Sequence, residues 1–333
     1  MTQTPPRAPE GPLQNPALLG GLAGLTAAVL CLSGRFGSAL APLLLALSPL
    51  PLFLAALGWG LRTGLFATVS FSLIMALTLP TALALAPALW LALPVFWLSR
   101  LALLRRPVNP DQPDSPTEWY PLGRLLAWTA GLGIAGFLAG EALTFLTTGE
   151  SLRALFASLL DQIFTPEART AVVAQSRAAD WPTLRGVFAA LMPAAGGLYW
   201  QLLIIANLVA ASAILTRTGR SLRPGFGWRS LTLPRLLAPL LLLSVLLMLA
   251  VPATSYWAGT IAVQLFLPYF FLGLTVLHAI PIAGPGRALL LGLFYLLMLF
   301  QAWPTLIVAA LGLGEQWFGL RARMAARAGR EKR

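Results

Sequence analysis

Apolar runs of about twenty residues follow one another through most of this chain, and they constrain it more than any motif. They lie at 17–34, 38–58, 63–79, 82–99, 122–147, 187–215, 235–254 and 258–280. A longer stretch, 288–320, is interrupted by Gln301-Ala302-Trp303-Pro304. A crossing helix needs roughly 17 to 25 mainly apolar residues. Hydrocarbon offers no partner to a bare peptide group, so such runs must close their hydrogen bonds internally as helices. Charged residues make up only 10% of the chain, against about 25% in soluble domains. The expectation is an all-α fold: a polytopic transmembrane helix bundle of about eight to ten membrane segments.

The formal charge of +12 does not point to nucleic acid, because the basic residues sit between spans instead of forming one stripe. Clusters at 100–124, at 217–235 and in the tail 321–333 fit cytoplasmic loops by the positive-inside rule. The lipid bilayer is thus the expected partner, with anionic headgroups meeting these loops at the cytoplasmic face. Keeping the Arg-rich tail on that side requires 288–320 to turn back near Pro304. The expected location is a bacterial inner membrane, multi-pass, with both termini cytoplasmic. Residues 1–16 are Pro-rich and read as a disordered tail, with no pattern of a cleaved signal peptide. The rest reads as one transmembrane domain, 17–320, followed by the basic tail.

Two segments are not spans. Residues 104–121 carry too many prolines for a helix and read as a cytoplasmic linker. In 149–185, Leu152, Leu155, Phe156, Leu159, Leu160, Ile163 and Phe164 recur at helical spacing, interrupted by Arg153 and Asp161. Thr165-Pro166-Glu167 then supplies a cap, a first-turn proline and an acid. Two amphipathic interfacial helices are expected here, floating at headgroup level or covering an external opening of the bundle.

Polar groups inside spans are the candidates for function. Glu141 is the carboxylate set within an apolar run; it suits a proton or cation site, or simple solvation near the outer interface. Trp200 and Asn207, two turns apart, share one helix side, with Tyr199 and Gln201 beside them. Gln264 and His278, the single histidine, lie on a later span. Each has a plainer reading as an interhelical or helix-end hydrogen bond. In the first span Gly20, Ala23, Gly24 and Ala27 leave a face without bulk, on which another helix can approach closely. One cysteine and one histidine cannot build a structural or catalytic zinc site, and no phosphate loop or catalytic motif is present. No cofactor, metal or catalytic residue is expected. Cys31 reads as a small buried hydrophobe.

The runs SPLPLFLAALGWGLRTG (48–64), EWYPLGRLLAW (118–128), PYFFLGLTVLHAI (268–280) and LGLGEQWFGLRAR (311–323) resemble the YybS-like bacterial membrane proteins, a family defined by a domain of unknown function. The resemblance extends over nearly all the chain beyond the tail. It implies an architecture similar to the substrate-capturing S-components of energy-coupling-factor transporters, with more spans than such a component. In those, small residues of the first helix meet a membrane partner subunit, a part that Gly20, Ala23, Gly24 and Ala27 would take. The functional expectation is a non-enzymatic membrane protein that captures or moves a small ligand. A scaffold or regulator without a substrate is the alternative. A polar cavity reached from one side favours capture, and a solidly packed bundle favours scaffold.

Overall fold

Proline and glycine set where the helices begin, break and reverse. The structure, a computed structural model, describes residues 15–37, 39–80, 86–109, 111, 115–176, 178–280 and 286–330. Its contacts divide the chain into two compact units. One is Met1–Leu125 with Leu202–Gly227, the other Leu126–Gln201 with Trp228–Arg333.

In the first unit, α1 (Pro16–Leu32) starts where Asn15 accepts from the Ala17 amide at 2.9 Å. Pro16 stands in its first turn, where its missing N–H is harmless. The helix thus begins inside the expected tail, whose residues 1–14 lie outside the described ones. The next run breaks into α2 (Ala41–Ala46) and α3 (Pro49–Trp59). Pro49 and Pro51 cannot donate, so Ser48 and Leu50 bond back three residues, to Leu45 and Leu47. That shift leaves the Ala46 carbonyl without its helical partner. Gly60, at φ +96°, reverses the chain into α4 (Leu61–Thr78); a side chain would strain this backbone. Next comes α5 (Ala88–Ala102), widened to a π turn at Ala88–Ala92; residues 81–85 of this expected span lie outside the described ones.

The small-residue face of α1 is covered by α4. A Cβ at Gly20 would come within 2.5 Å of Phe66 Cβ, and one at Gly24 within 2.5 Å of the Ala67 carbonyl. Ala27 is fully buried and Ala23 half-buried. The helix that docks on this face is therefore one of the chain's own, and the face is not free for a partner subunit.

The linker is not wholly irregular. β1 (Arg105–Pro107) pairs antiparallel with β2 (Thr117–Trp119), and Arg106 bridges Glu118 at 2.7 Å across the ribbon.

The chain continues through α6 (Leu122–Thr148), α7 (Leu152–Ile163), α8 (Pro166–Gln175) and α9 (Trp181–Arg217). Ser151 and Thr165 cap α7 and α8, accepting from Ala154 and Ala168; the Thr165 cap and its first-turn proline were expected from the sequence, the Ser151 cap was not. α9 has 37 residues, a length of about 55 Å, well beyond the roughly 30 Å hydrocarbon core. Its first turns therefore extend past the expected span 187–215. Leu202 onward belongs to the first unit.

The second unit is completed by α10 (Leu237–Ala250), α11 (Ser255–Ala279), α12 (Gly286–Phe300), α13 (Trp303–Phe318) and α14 (Leu320–Arg330). α12 and α13 meet at a 119° bend, where the interrupted last run was expected to turn. α11 and α13 cross closely because Gly273 and Gly312 both lack side chains; a Cβ on Gly312 would stand 2.8 Å from the Gly273 nitrogen. Gly319, at φ +56°, ends α13, and the basic tail then begins as helix α14.

Among the described residues, six helices are long and apolar enough to cross a membrane, and the bent pair can make a seventh. α5 and α10 are shorter apolar helices. The protein is an all-α multi-pass membrane protein. Counting the two short helices as segments gives eight, and counting both arms of the bend as well gives ten.

Candidate functional site

One side of α11 carries Tyr256, Thr260 and Gln264, four residues apart, so they stack on a single face of the helix. Around the upper part of this column lies an open cavity of about 610 Å³. Arg153 of α7, Thr183 and Gly186 of α9, Met248 of α10, and Ser255, Tyr256 and Thr260 of α11 are among its lining residues.

The rim is held by ionic and hydrogen-bonded ties. Asp161 of α7 accepts from Trp181 Nε1 at 2.7 Å and pairs with Arg185, both from the start of α9. Arg169 of α8 lies 3.8 Å from the same carboxylate and donates to the Asp161 and Phe164 carbonyls. The Trp181 hydrogen bond first, then those from Arg185 and the neighbouring positive charge, hold the Asp161 carboxyl below the usual carboxylate range. Arg153 donates to the Gly186 carbonyl at 3.2 Å. Among the described residues it has no carboxylate within ion-pair distance, so its charge faces the cavity mouth uncompensated.

Glu141 of α6 stands behind this wall, 5% exposed. One carboxylate oxygen accepts from the Leu152 amide at 3.0 Å and the other from the Tyr256 hydroxyl at 2.6 Å. The first is an orphan donor at the N-terminus of α7, where a negative charge is favoured. Glu141 thus ties α6, α7 and α11 together, and both of its oxygens are engaged.

One turn below Thr260, Gln264 is fully buried against Gln201 of α9, also fully buried. Gln201 Nε2 donates to Gln264 Oε1 and, at 3.2 Å, to the Gln264 backbone carbonyl. That carbonyl needs the help: its helical donor would be residue 268, a proline. Gly133 and Gly197 make room for the amides, since a Cβ on Gly133 would lie 2.7 Å from Gln264 Oε1. Gln201 Oε1 and Gln264 Nε2 have no partner among the described residues.

Asn207 plays the same part in the first unit. It is 4% exposed, and its Nδ2 donates at 2.8 Å to the Ala46 carbonyl, the group freed by Pro49 and Pro51. It also reaches the Leu203 carbonyl at 2.8 Å. Trp200, two turns earlier, is buried as well. Asn207 belongs to the first unit and the Gln201–Gln264 pair to the second. Elsewhere in the first unit, Arg223 is 7% exposed and donates to the Ala102 carbonyl at 2.9 Å, closing the end of α5. Burial lowers its guanidinium to about 10.

His278 lies at the other end of α11, by a second cavity of about 780 Å³. Among the described residues, no group of three or more His, Cys, Asp or Glu side chains is placed to hold a metal ion.

None of the sequence candidates lines the first cavity: Gln264 lies one turn from Thr260, which does, and Glu141 bonds Tyr256, which also does. Tyr256, Thr260 and Arg153 were not among those candidates. The four-residue spacing of Tyr256, Thr260 and Gln264 was the signal that could have found the column. No family model, curated protein or solved structure matches the chain.

Proposed function

We propose that this protein captures a small molecule in the cavity beside α11, without catalysing a reaction on it. The observation that carries the reading is the open 610 Å³ cavity lined mainly by apolar groups, with Arg153, which has no carboxylate partner among the described residues, at its edge. A pocket of this size, mainly apolar with a few convergent polar groups, is the ordinary form of a small-ligand site. The chemistry it suits is a compact, largely apolar molecule with one anionic group for Arg153. Capture agrees with the resemblance to the YybS-like family and, through it, to transporter substrate-binding components. In that setting the membrane is a bacterial inner membrane, both termini are cytoplasmic and the cavity opens outward. A partner subunit would have to use a surface other than the Gly20 and Gly24 face of α1.

Native mass spectrometry of the purified protein tests the reading. A retained small molecule is expected in the wild type and absent from Gly186→Phe. Gly186 lines the cavity, and a Cβ there meets only the tip of Arg153, at 3.9 Å, so a side chain can begin there without a backbone clash. Identical spectra, with nothing retained by either protein across a panel of organic anions, would favour a scaffold.

A further inference from the structure

The C-terminal end of α11 borders a second cavity, and its charges point to a different kind of ligand. Arg229, Arg287 and Arg321 reach its edge, and Trp228, Phe271 and Leu274 are among its walls. Arg321 is already neutralised, with Nε 2.8 Å from Glu315 Oε1. It is further fixed by donating to the Arg229 and Leu231 carbonyls. Arg229 and Arg287 have no carboxylate within ion-pair distance among the described residues, and both are exposed. Arg287 is nonetheless aimed, because its Nη2 donates to the His278 carbonyl at 2.6 Å.

His278 forms part of the wall. Its Nδ1 lies 2.8 Å from the Leu274 carbonyl, which can only accept, so Nδ1 bears the proton. Its Nε2 lies 3.3 Å from the Tyr295 hydroxyl. The end of α11 contributes a partial negative charge of about half a unit, which two full positive charges outweigh.

From this arrangement we infer that the cavity binds a phosphate-headed amphiphile, with the phosphate between Arg229 and Arg287 and one hydrocarbon chain along Phe271 and Leu274. Size separates this from a simple anion site. A water occupies about 30 Å³ of liquid volume, so a bare phosphate, a few waters in bulk, leaves most of the 780 Å³ unfilled. The apolar walls require a chain, and the paired cations require an anionic head. Anionic lipid in the leaflet that faces an Arg-rich loop provides both.

The test uses the full-length protein, stripped of lipid in detergent and titrated in native mass spectrometry. The probes are phosphatidylglycerol, phosphatidylcholine of the same chains, and inorganic phosphate. Phosphatidylglycerol should be retained well ahead of phosphatidylcholine. Each arginine near a membrane surface is worth about a fivefold change in binding, so Arg229→Gln should weaken phosphatidylglycerol about fivefold. Arg229→Gln with Arg287→Gln should weaken it about 25-fold, with phosphatidylcholine unchanged. Ala279→Trp, which keeps both cations and fills the cavity, should also lose phosphatidylglycerol. Equal retention of the two lipids, or Arg229→Gln behaving as wild type, would overturn the inference. Displacement of phosphatidylglycerol by inorganic phosphate at matching concentration would also overturn it, and would mark the site as one for a free anion.

Discussion

Gly24→Ala is the smallest change that tests whether α1 is packed against α4 or only lies beside it. The new Cβ would stand 2.5 Å from the Ala67 carbonyl, 2.7 Å from Ser70 Cβ and 2.8 Å from the Phe71 nitrogen. Two of these are backbone atoms, which cannot swing aside. Ordinary contact begins at 3.4 Å, so the helices must part by the difference, about 0.9 Å. A gap of that size forfeits a quarter to a half of each dispersion contact across the interface. In lipid those contacts, not the hydrophobic effect, hold helices together. Overpacking of this kind costs about 1–3 kcal/mol. Alanine also favours helix over glycine by about 1 kcal/mol, which would mask part of the loss. Gly21→Ala removes that ambiguity: it lies on the same helix, gains the same propensity, and its Cβ would meet nothing within 4 Å. The difference between the two variants therefore isolates packing, and Gly24→Ala should be less stable than Gly21→Ala by about 1–3 kcal/mol. Equilibrium unfolding in detergent micelles measures it. Stabilities equal within about 0.5 kcal/mol would refute the reasoning and place that face of α1 against lipid.

Three further outcomes follow from the same geometry. Gln201→Leu removes the donor to the Gln264 carbonyl and should destabilise by about 1 kcal/mol; in a Pro268→Ala background, where residue 268 regains an N–H, the loss in unfolding assays should shrink. Glu141→Leu strands the Leu152 amide and the Tyr256 hydroxyl and should lower stability by about 3 kcal/mol, measured against Glu141→Gln, which keeps one acceptor. The Asp161 carboxyl is depressed in the folded protein, so its contribution is present above its unfolded pKa and is lost as pH falls through the lower folded value. Hydrogen-exchange protection over 152–175, corrected for the intrinsic rate at each pH, should be high at pH 6 and fall below about pH 4, and in Asp161→Asn it should be low at both.

Span positions were readable because hydrophobic length is a property of sequence alone. The cap at Thr165 and the turn near Pro304 were readable because caps and prolines act within a few residues. The site was less legible because its members meet across helices. Glu141 was visible as an acid in an apolar run, but its partners, the Leu152 amide and Tyr256, come from two other helices. Asn207 and Gln201 stood out as polar, yet their partners are carbonyls left open by Pro49, Pro51 and Pro268 elsewhere in the chain. The α1 face with Gly20 and Gly24 showed that a helix docks there without showing which one. Gly273 and Gly312, 39 positions apart, could be paired only once α11 and α13 were seen to cross.

The central claim, an open ligand cavity beside α11, is tested most directly by chemical access. Val263 lines the cavity and is half-buried. In a Cys31→Ala background, which removes the one native thiol, Val263→Cys can be exposed to a membrane-impermeant maleimide on intact spheroplasts. The account predicts labelling from outside, slowed at least tenfold (about 1.4 kcal/mol in the access equilibrium) when Gly186→Phe fills the cavity. A thiol that reacts only after the membrane is permeabilised, or that reacts equally fast with Gly186→Phe present, would contradict it.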